Sequence, residues 1–368
     1  MWAWALKTLW QERRAASVSG LGVALAMLLV LYLDAVFRGE ADQVVAFIEQ
    51  TPGEIWVLQS GIENLHMTRS RLSEQTVADV DWIVRRAGGQ LVPLVYRDAL
   101  VGPDGARRLA YVVGVNEQAG ITAWRLVAGE PMPKAGQAVV PAPLAAQLGL
   151  QLGNTITVGA GIFTISGLSS ETFSMANPLV FLHEQDARDI LDVSDGASLA
   201  IVRGVSNRAE LMTAIRGAND DVEVLSRAEL LASDYRIALE MAGELLQLMG
   251  LIGMIVSALV VSFSTYAFVA QREAELAMAR AVGSPISGVF SAVLLMGLSL
   301  ALVGVALSAA LIPAIDFILS RFVPEVAVHF SFNTFAMLAA SILLVALLAA
   351  LIPAWRVARV DPSLVFQG

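Results

Sequence analysis

Gln271–Pro285, QREAELAMARAVGSP, is the stretch on which the reading of the whole chain turns. Leu245–Ala270 before it and Ile286–Ile315 after it carry no charged side chain. A charged helical segment between two membrane-length apolar runs is an elbow outside the bilayer. Arg272, Glu273, Glu275 and Arg280 make it polar, while Leu276, Ala279 and Val282 form a weak apolar stripe at helical spacing. Gly283 suits a helix C-cap, and Ser284 with Pro285 suits the N-cap and first turn of the next helix. The segment reads as helix, tight break, helix.

Composition agrees with a membrane class. Of 368 residues 56% are hydrophobic and 15% charged, where soluble domains carry ~25% charged residues. The charge is uneven. Residues 1–17 hold Lys7, Glu12, Arg13 and Arg14, a net of +2, whereas residues 38–244 hold 16 basic and 26 acidic side chains, a net of −10. An acidic middle argues against nucleic acid as the partner and suits the outer side of a membrane, since basic residues are retained inside. The chain has no cysteine, so disulfides, thiolate metal sites and cysteine nucleophiles are excluded.

Working outward, Trp2, Leu6, Leu9 and Trp10 share a helical face within residues 1–17, which fits an amphipathic elbow helix at the cytoplasmic interface. Residues 18–37 are about long enough to cross a ~30 Å hydrocarbon core. A cleaved signal peptide is the rival, but no small-x-small site stands clearly after the run. Residues 38–244 read as a mixed α/β region with a core over about 116–225, a possible subdomain at 53–115 and a stalk at 226–244. Its strands are expected at 54–58, 91–95, 108–115, 155–158, 163–168, 179–182 and 198–202. Helices are expected at 73–87, 143–148, 184–191, 208–216 and 226–248. Residues 245–270, 286–315 and 335–352 are the remaining spans, with a short outer loop at 316–334 and a basic tail at 353–368. The expected fold class is therefore an α-helical membrane protein with four transmembrane helices and a large α/β extracytoplasmic domain inserted between the first and second. Four spans put both termini on one side, and positive charge makes that side the cytoplasm. Gln271–Pro285 falls there too, and the location implied is a cytoplasmic (inner) membrane.

Small residues recur in the spans: Gly20, Gly22, Gly253 with Ser257, Gly297, and Gly304 with Ser308. Their spacing lets helix backbones approach closely, within or between subunits.

Little in the chain carries chemistry. No GxxxxGK[ST] occurs, so a P-loop ATPase is not expected here. His66, His183 and His329 lie far apart and are read as surface residues, with no metal-ligand spacing. No GxSxG elbow supports a nucleophile. The later spans lack the ionisable groups that ion-coupled carriers place near the midplane, so energy is expected to come from elsewhere. Glu240 and Glu244 lie one helical turn apart at the outer entry to the second span, with Met241 beside them. They read either as a vestibule lining that meets cargo or a bound cofactor, or as a solvated stalk face. Met27, Met249, Met254 and Met296 fit flexible apolar packing, although a Met/Glu pair can ligate haem iron.

The ordered pattern resembles the FtsX/MacB-like permeases, the membrane subunits of type VII ABC transporters. Ala5–Leu25 (ALKTLWQERRAASVSGLGVAL) looks like the family's elbow and first span, and Trp124–Leu168 is similar to the core of its outer domain. Gln271–Pro285 resembles the segment before its third span, and Ile352–Phe366 (IPAWRVARVDPSLVF) its C-terminal signature. Met278 stands where a branched aliphatic is frequent. The resemblance implies a homodimer, or a dimer with a related permease, among membrane lipids. It also implies a separate cytoplasmic ABC ATPase dimer that binds ATP and Mg, met by Arg272, Glu273, Glu275, Arg280 and Gly283. It further implies a non-catalytic subunit with no bound cofactor, working by mechanotransmission on a hydrophobic or amphipathic cargo, with a periplasmic membrane-fusion adaptor as an optional partner. An FtsX-type regulator of a cell-wall hydrolase is the alternative. Haem export is a narrower one, with haem as cargo only.

Overall fold

Alternation along β1 (Ile55–Gln59) explains where the two central cores of the α/β domain lie. Ile55 and Val57 point to one face of the strand and Trp56 and Leu58 to the other, and all four are fully buried. The first pair packs with Val80 and Val84 of α2 (Glu74–Arg86) and with Leu211 and Ile215 of α5 (Arg208–Ala218). The second pair packs with Phe47 and Ile48 of α1 (Arg13–Gln50) and Leu230 of α6 (Arg227–Gln271). A strand covered on both sides holds the middle of a layered α/β domain.

The computed structural model describes residues 7, 10, 11, 13–117, 119–173, 178–193, 195–322 and 328–358. Trp2, Leu6 and Leu9 of the expected elbow helix, residues 323–327 of the expected outer loop and residues 359–368 of the expected tail lie outside them. Contacts divide the chain into two units, one over Gly39–Met241, the other gathering residues up to Arg38 and from Ala242 onward.

In the first unit the remaining strands are β2 (Gln90–Val101), β3 (Arg108–Val115), β4 (Leu126–Gly129), β5 (Gln137–Pro141), β6 (Thr155–Val158), β7 (Gly161–Ser169), β8 (Leu179–His183), β9 (Leu199–Arg203) and β10 (Val222–Ser226). They form one sheet in the order β10-β1-β9-β2-β3-β8-β5-β7-β4, with β6 pairing β2 and β7. Only β3–β8 and β5–β7 are parallel among these pairs. Helices α3 (Ala142–Gln147) and α4 (Glu184–Leu191) cover the second half through Leu144, Ala187 and Leu191. Residues 53–115 are not a separate subdomain: β1 is flanked by β10 and β9, and β3 pairs with β8, so the early strands are interleaved with the late ones. β2 is the shared member, bonding β9 through Gln90–Leu94 and β3 through Val95–Val101.

The second unit contains α7 (Glu273–Ala281), α8 (Ile286–Phe322) and α9 (Phe332–Ala358), with the N-terminal part of α1 and most of α6. Four helices are long and apolar enough to cross a membrane, over Ala16–Gln50, Leu246–Gln271, Ile286–Ile318 and Phe332–Trp355. All four meet in one cluster: Val23, Met27 and Leu31 of α1, Val261 of α6, Ala301 of α8, and Ile342 and Ala346 of α9. The small residues sit at the closest approaches within this chain. A Cβ on Gly20 would come 2.7 Å from Val303, one on Gly253 2.7 Å from Val30, and one on Gly297 2.7 Å from Ala350. Such contacts let helices pack closely where lipid offers no hydrophobic incentive.

Two ends differ from the sequence reading. α1 does not stop near Phe37 but continues to Gln50, because the polar residues after Arg38 alternate with buried Ala41, Val44, Val45, Phe47 and Ile48 at helical spacing. Pro52 and Gly53 follow as breakers. The stalk helix starts at Arg227 rather than Ser226, which instead ends β10 and caps it: Ser226 N donates to Glu229 Oε2 (2.7 Å) and Glu229 N donates to Ser226 Oγ (3.2 Å). This is a reciprocal capping box, and it holds the Glu229 carboxyl below its usual range through the backbone donor of Ser226.

Candidate functional site: the charged elbow and a buried histidine

The elbow is built by a single-residue break. α6 ends at Gln271, Arg272 forms a turn with its N–H on Val269 O (3.1 Å), and α7 begins at Glu273. Leu276 and Ala277 are buried, Leu276 packing with Val269, Val289, Val293 and Ala354. The stripe expected through Leu276, Ala279 and Val282 is therefore rotated: Val282 is 85% exposed and Met278 is 56% exposed. Four residues apart, these two present an apolar ridge to solvent, continued by exposed Ile286. Neither apolar side chain was singled out as a contact by sequence, although their i, i+4 spacing was readable.

Gly283 has φ +103°, and Ser284 N donates to Ala279 O (3.0 Å). That bond is the six-to-one closure of a glycine-terminated helix. Pro285 O then accepts from Gly288 N and Val289 N at the start of α8. Of the expected contact residues, Arg272 donates through Nη1 to both carboxylate oxygens of Glu275 (3.2 and 3.3 Å) and through Nη2 to Gln11 Oε1 (3.1 Å). Glu273 and Arg280 lie on α7, and their side chains fall outside the described ones. Glu240, Met241 and Glu244 are all exposed on α6. Among the described residues no group of three or more His, Cys, Asp or Glu could hold a metal ion.

The histidine reading needs correction at His66. Its side chain is 7% exposed, and it lies between the carboxylate of Asp234 and the phenol of Tyr96. His66 Nδ1 is 3.3 Å from Asp234 Oδ2, and Nε2 is 3.1 Å from Tyr96 Oη. Asp234, on α6 one turn beyond buried Leu230, is 1% exposed and also accepts from Leu65 N (3.1 Å). Tyr111 Oη donates to His66 O (2.7 Å), and the Tyr111 and Tyr96 rings stack at 5.0 Å. Beyond them Phe47 stacks on Tyr96 at 5.1 Å. Arg69 closes the segment against β2 with a fork to Asp98, Nε to Oδ1 at 2.7 Å and Nη2 to Oδ2 at 2.6 Å. Its hydrogen bonds hold the Asp98 carboxyl below the usual range. A cavity of about 190 Å³ lies among these groups.

Burial lifts the Tyr111 phenol to about 12. Burial first, then Tyr111 and Asp234, raise that of Tyr96 well above its ordinary value. Between about pH 10 and 12 an unfolded chain sheds phenolic protons that the folded chain keeps, so stability falls as pH rises through that window. Thermal unfolding of the full chain should show this loss, and Tyr111→Phe should make it shallower. An identical alkaline slope in the variant would contradict a buried neutral phenol.

A family model described as the FtsX-like permease C-terminal region matches residues 248–362, and one described as the MacB-like periplasmic core domain matches residues 18–221. An uncharacterized ABC transporter permease of Mycobacterium bovis is 25% identical over 369 residues, covering 98% of this chain and 97% of its own. Two from Mycobacterium tuberculosis strains match with the same figures. The periplasmic region of MacB from Actinobacillus actinomycetemcomitans gives a TM-score of 0.37 at 10% identity, covering 51% of this chain and 94% of that one. The extracellular domain of the YknZ transporter from Gram-positive bacteria gives 0.34 at 11%, covering 47% and 98%.

Proposed function

The chain belongs to the FtsX/MacB family of ABC transporter permeases, and on that premise we propose that it is a mechanical subunit, driven by a cytoplasmic ATPase and acting on cargo at the outer side. In this reading residues 18–37, 245–270, 286–315 and 335–352 cross the cytoplasmic membrane, both termini are cytoplasmic, and two permeases pair. Residues 271–285 receive force from the ATPase through Arg272, Glu273, Glu275, Arg280 and the turn at Gly283. The Met278–Val282 ridge supplies the apolar part of that contact. The cargo is hydrophobic or amphipathic, ATP and Mg are bound by the partner, and an outer adaptor is optional. Glu240, Met241 and Glu244 line the outer entry.

One observation carries the reading. α6 is a single helix of 45 residues, Arg227–Gln271, whose first turns are packed into the outer domain and whose last residue abuts the charged elbow. A continuous helix is a stiff rod, and about 1.5 Å per residue makes this one ~68 Å long. The spans offer no charged side chain for an ion-coupled path between Leu245 and Ala270 or between Ile286 and Ile315.

Affinity purification of the full chain from its native membrane is expected to bring down an ABC ATPase. Glu273→Arg combined with Glu275→Arg should abolish that co-purification while the chain still inserts in the membrane. Equal recovery of the ATPase with the double variant would refute the assignment of the elbow. Recovery of a cell-wall hydrolase with the ATPase, and no cargo movement, would favour the regulatory alternative.

A further inference from the structure

Asp234 is the charged residue among the described buried side chains, and its position on the rod gives it a specific consequence. It lies eight positions into α6, facing the segment 60–71 that links β1 to α2. That segment has no regular helix, and its residues are held from two directions. On the α6 side, Asp234 accepts from Leu65 N at 3.1 Å and sits 3.3 Å from His66 Nδ1. On the sheet side, Tyr96 and Tyr111 hold His66, and Arg69 forks onto Asp98. Tyr96 and Asp98 belong to β2 and Tyr111 to β3, the strands that join the two halves of the sheet.

The geometry points to Asp234 and His66 as a coupling latch, through which displacement of α6 is delivered to segment 60–71 and thence to β2 and β3. This rests on the mechanical reading above and names where the rod is attached to its load. Chemistry favours a stiff joint. A carboxylate so deeply buried is tolerated only while donors satisfy it, and hydrogen bonds to a charged acceptor are stronger than neutral ones. Sliding α6 relative to the segment would strand the carboxylate, so the two move together. Asp234 is thus a positioning residue that acts through Leu65 and His66.

The absence of cysteine from the chain allows single labels to be placed cleanly. The full chain with its ATPase, in lipid nanodiscs, would carry an environment-sensitive probe at either Arg236→Cys on α6 or Met67→Cys on the segment, both exposed positions. Asp234→Ala removes every acceptor. Asp234→Asn keeps an oxygen for Leu65 N and an amide that can face Nδ1 of the other His66 tautomer.

With a non-hydrolysable ATP analogue, the probe at 236 should respond in all backgrounds. The probe at 67 should respond in the parent and in Asp234→Asn and lose most of its response in Asp234→Ala. Hydrogen exchange at the Leu65 amide should rise at least about tenfold in Asp234→Ala, the scale set by loss of a bond to a charged acceptor, while β1 and β9 stay protected. If Asp234→Ala does not fold, His66→Phe, which keeps a ring but removes both nitrogens, should diminish the response at probe 67 while Leu65 N stays bonded to Asp234. An undiminished response at 67 in these variants, or exchange at Leu65 in Asp234→Ala no faster than in the parent, overturns the latch. Failure of the probe at 236 to respond in the parent overturns the mechanical reading instead, and the exchange measurement then still decides the latch.

Discussion

With a Gly-Ser insertion after Ala238, ATP hydrolysis by the complex is expected to continue while the outer domain's response to nucleotide is lost. The insertion point lies within α6, between the turn that carries Asp234 and the apolar stretch that begins at Leu245. Two extra helical residues advance the downstream part by ~3 Å and rotate it by ~200°. Upstream, Leu230 and Asp234 are fixed by their buried contacts, and downstream Val261 is fixed in the four-helix cluster. The rotation turns the face that the downstream part of the helix presents relative to the turns carrying Leu230 and Asp234, and glycine in a helix interior weakens the helix further by ~1 kcal/mol. Transmission would fail while the elbow and the ATPase contact proposed for it are left unaltered. Nucleotide-dependent signals from the outer domain, measured beside the ATPase rate, decide the matter. An undiminished outer response would mean that force does not travel along α6.

The second large effect is on stability. Phe47 is completely buried at the end of α1, edge-on to Trp56 at 6.1 Å and stacked on Tyr96. Phe47→Ala removes a ring from the core that joins α1 to the sheet, and substitutions of that kind cost about 3–5 kcal/mol. For a domain near two hundred residues this corresponds to a fall of about 10 °C in the unfolding midpoint. Val127→Ala, at a 62% exposed position, should shift it by no more than about 1 °C. A Phe47→Ala midpoint within that smaller range would show that the end of α1 is not part of the core.

Local signals explain which elements could be read from the chain alone. β3, β6 and α4 fall on the expected residues 108–115, 155–158 and 184–191, since each is bounded by glycine, proline or an acidic first turn close by. β4 and β5 were not expected. β4 has four residues, none of them buried, and β5 runs directly into α3. β10 was hidden because Ser226 reads equally as a strand end and a helix start. The order of strands in the sheet has no local signature at all: β1 pairs with β9 and β10, far along the chain.

The same limit applies to the sites. The elbow was legible because its charges interrupt two apolar runs, and because Gly283 marks its end. Which of its faces is buried was not, since Leu276 faces inward only by virtue of Val289, Val293 and Ala354 from other helices. His66 was read as a surface group because its partner Asp234 is remote, the neighbouring Leu65 being 169 positions from it. A faint signal existed in Asp234 itself, a carboxylate one turn after Leu230 on the apolar side of a helix. Such a group calls for a buried donor, but nothing in the linear sequence says which.

The mechanical reading is that nucleotide binding by the ATPase docked at the elbow moves α6 at the outer domain. The most direct measurement places a single probe at Arg236→Cys and compares the signal of the purified complex with and without a non-hydrolysable ATP analogue. A nucleotide-dependent change is expected that disappears with Glu273→Arg and Glu275→Arg, even when the ATPase is supplied in excess. The same signal with and without nucleotide in the otherwise unaltered complex would contradict it.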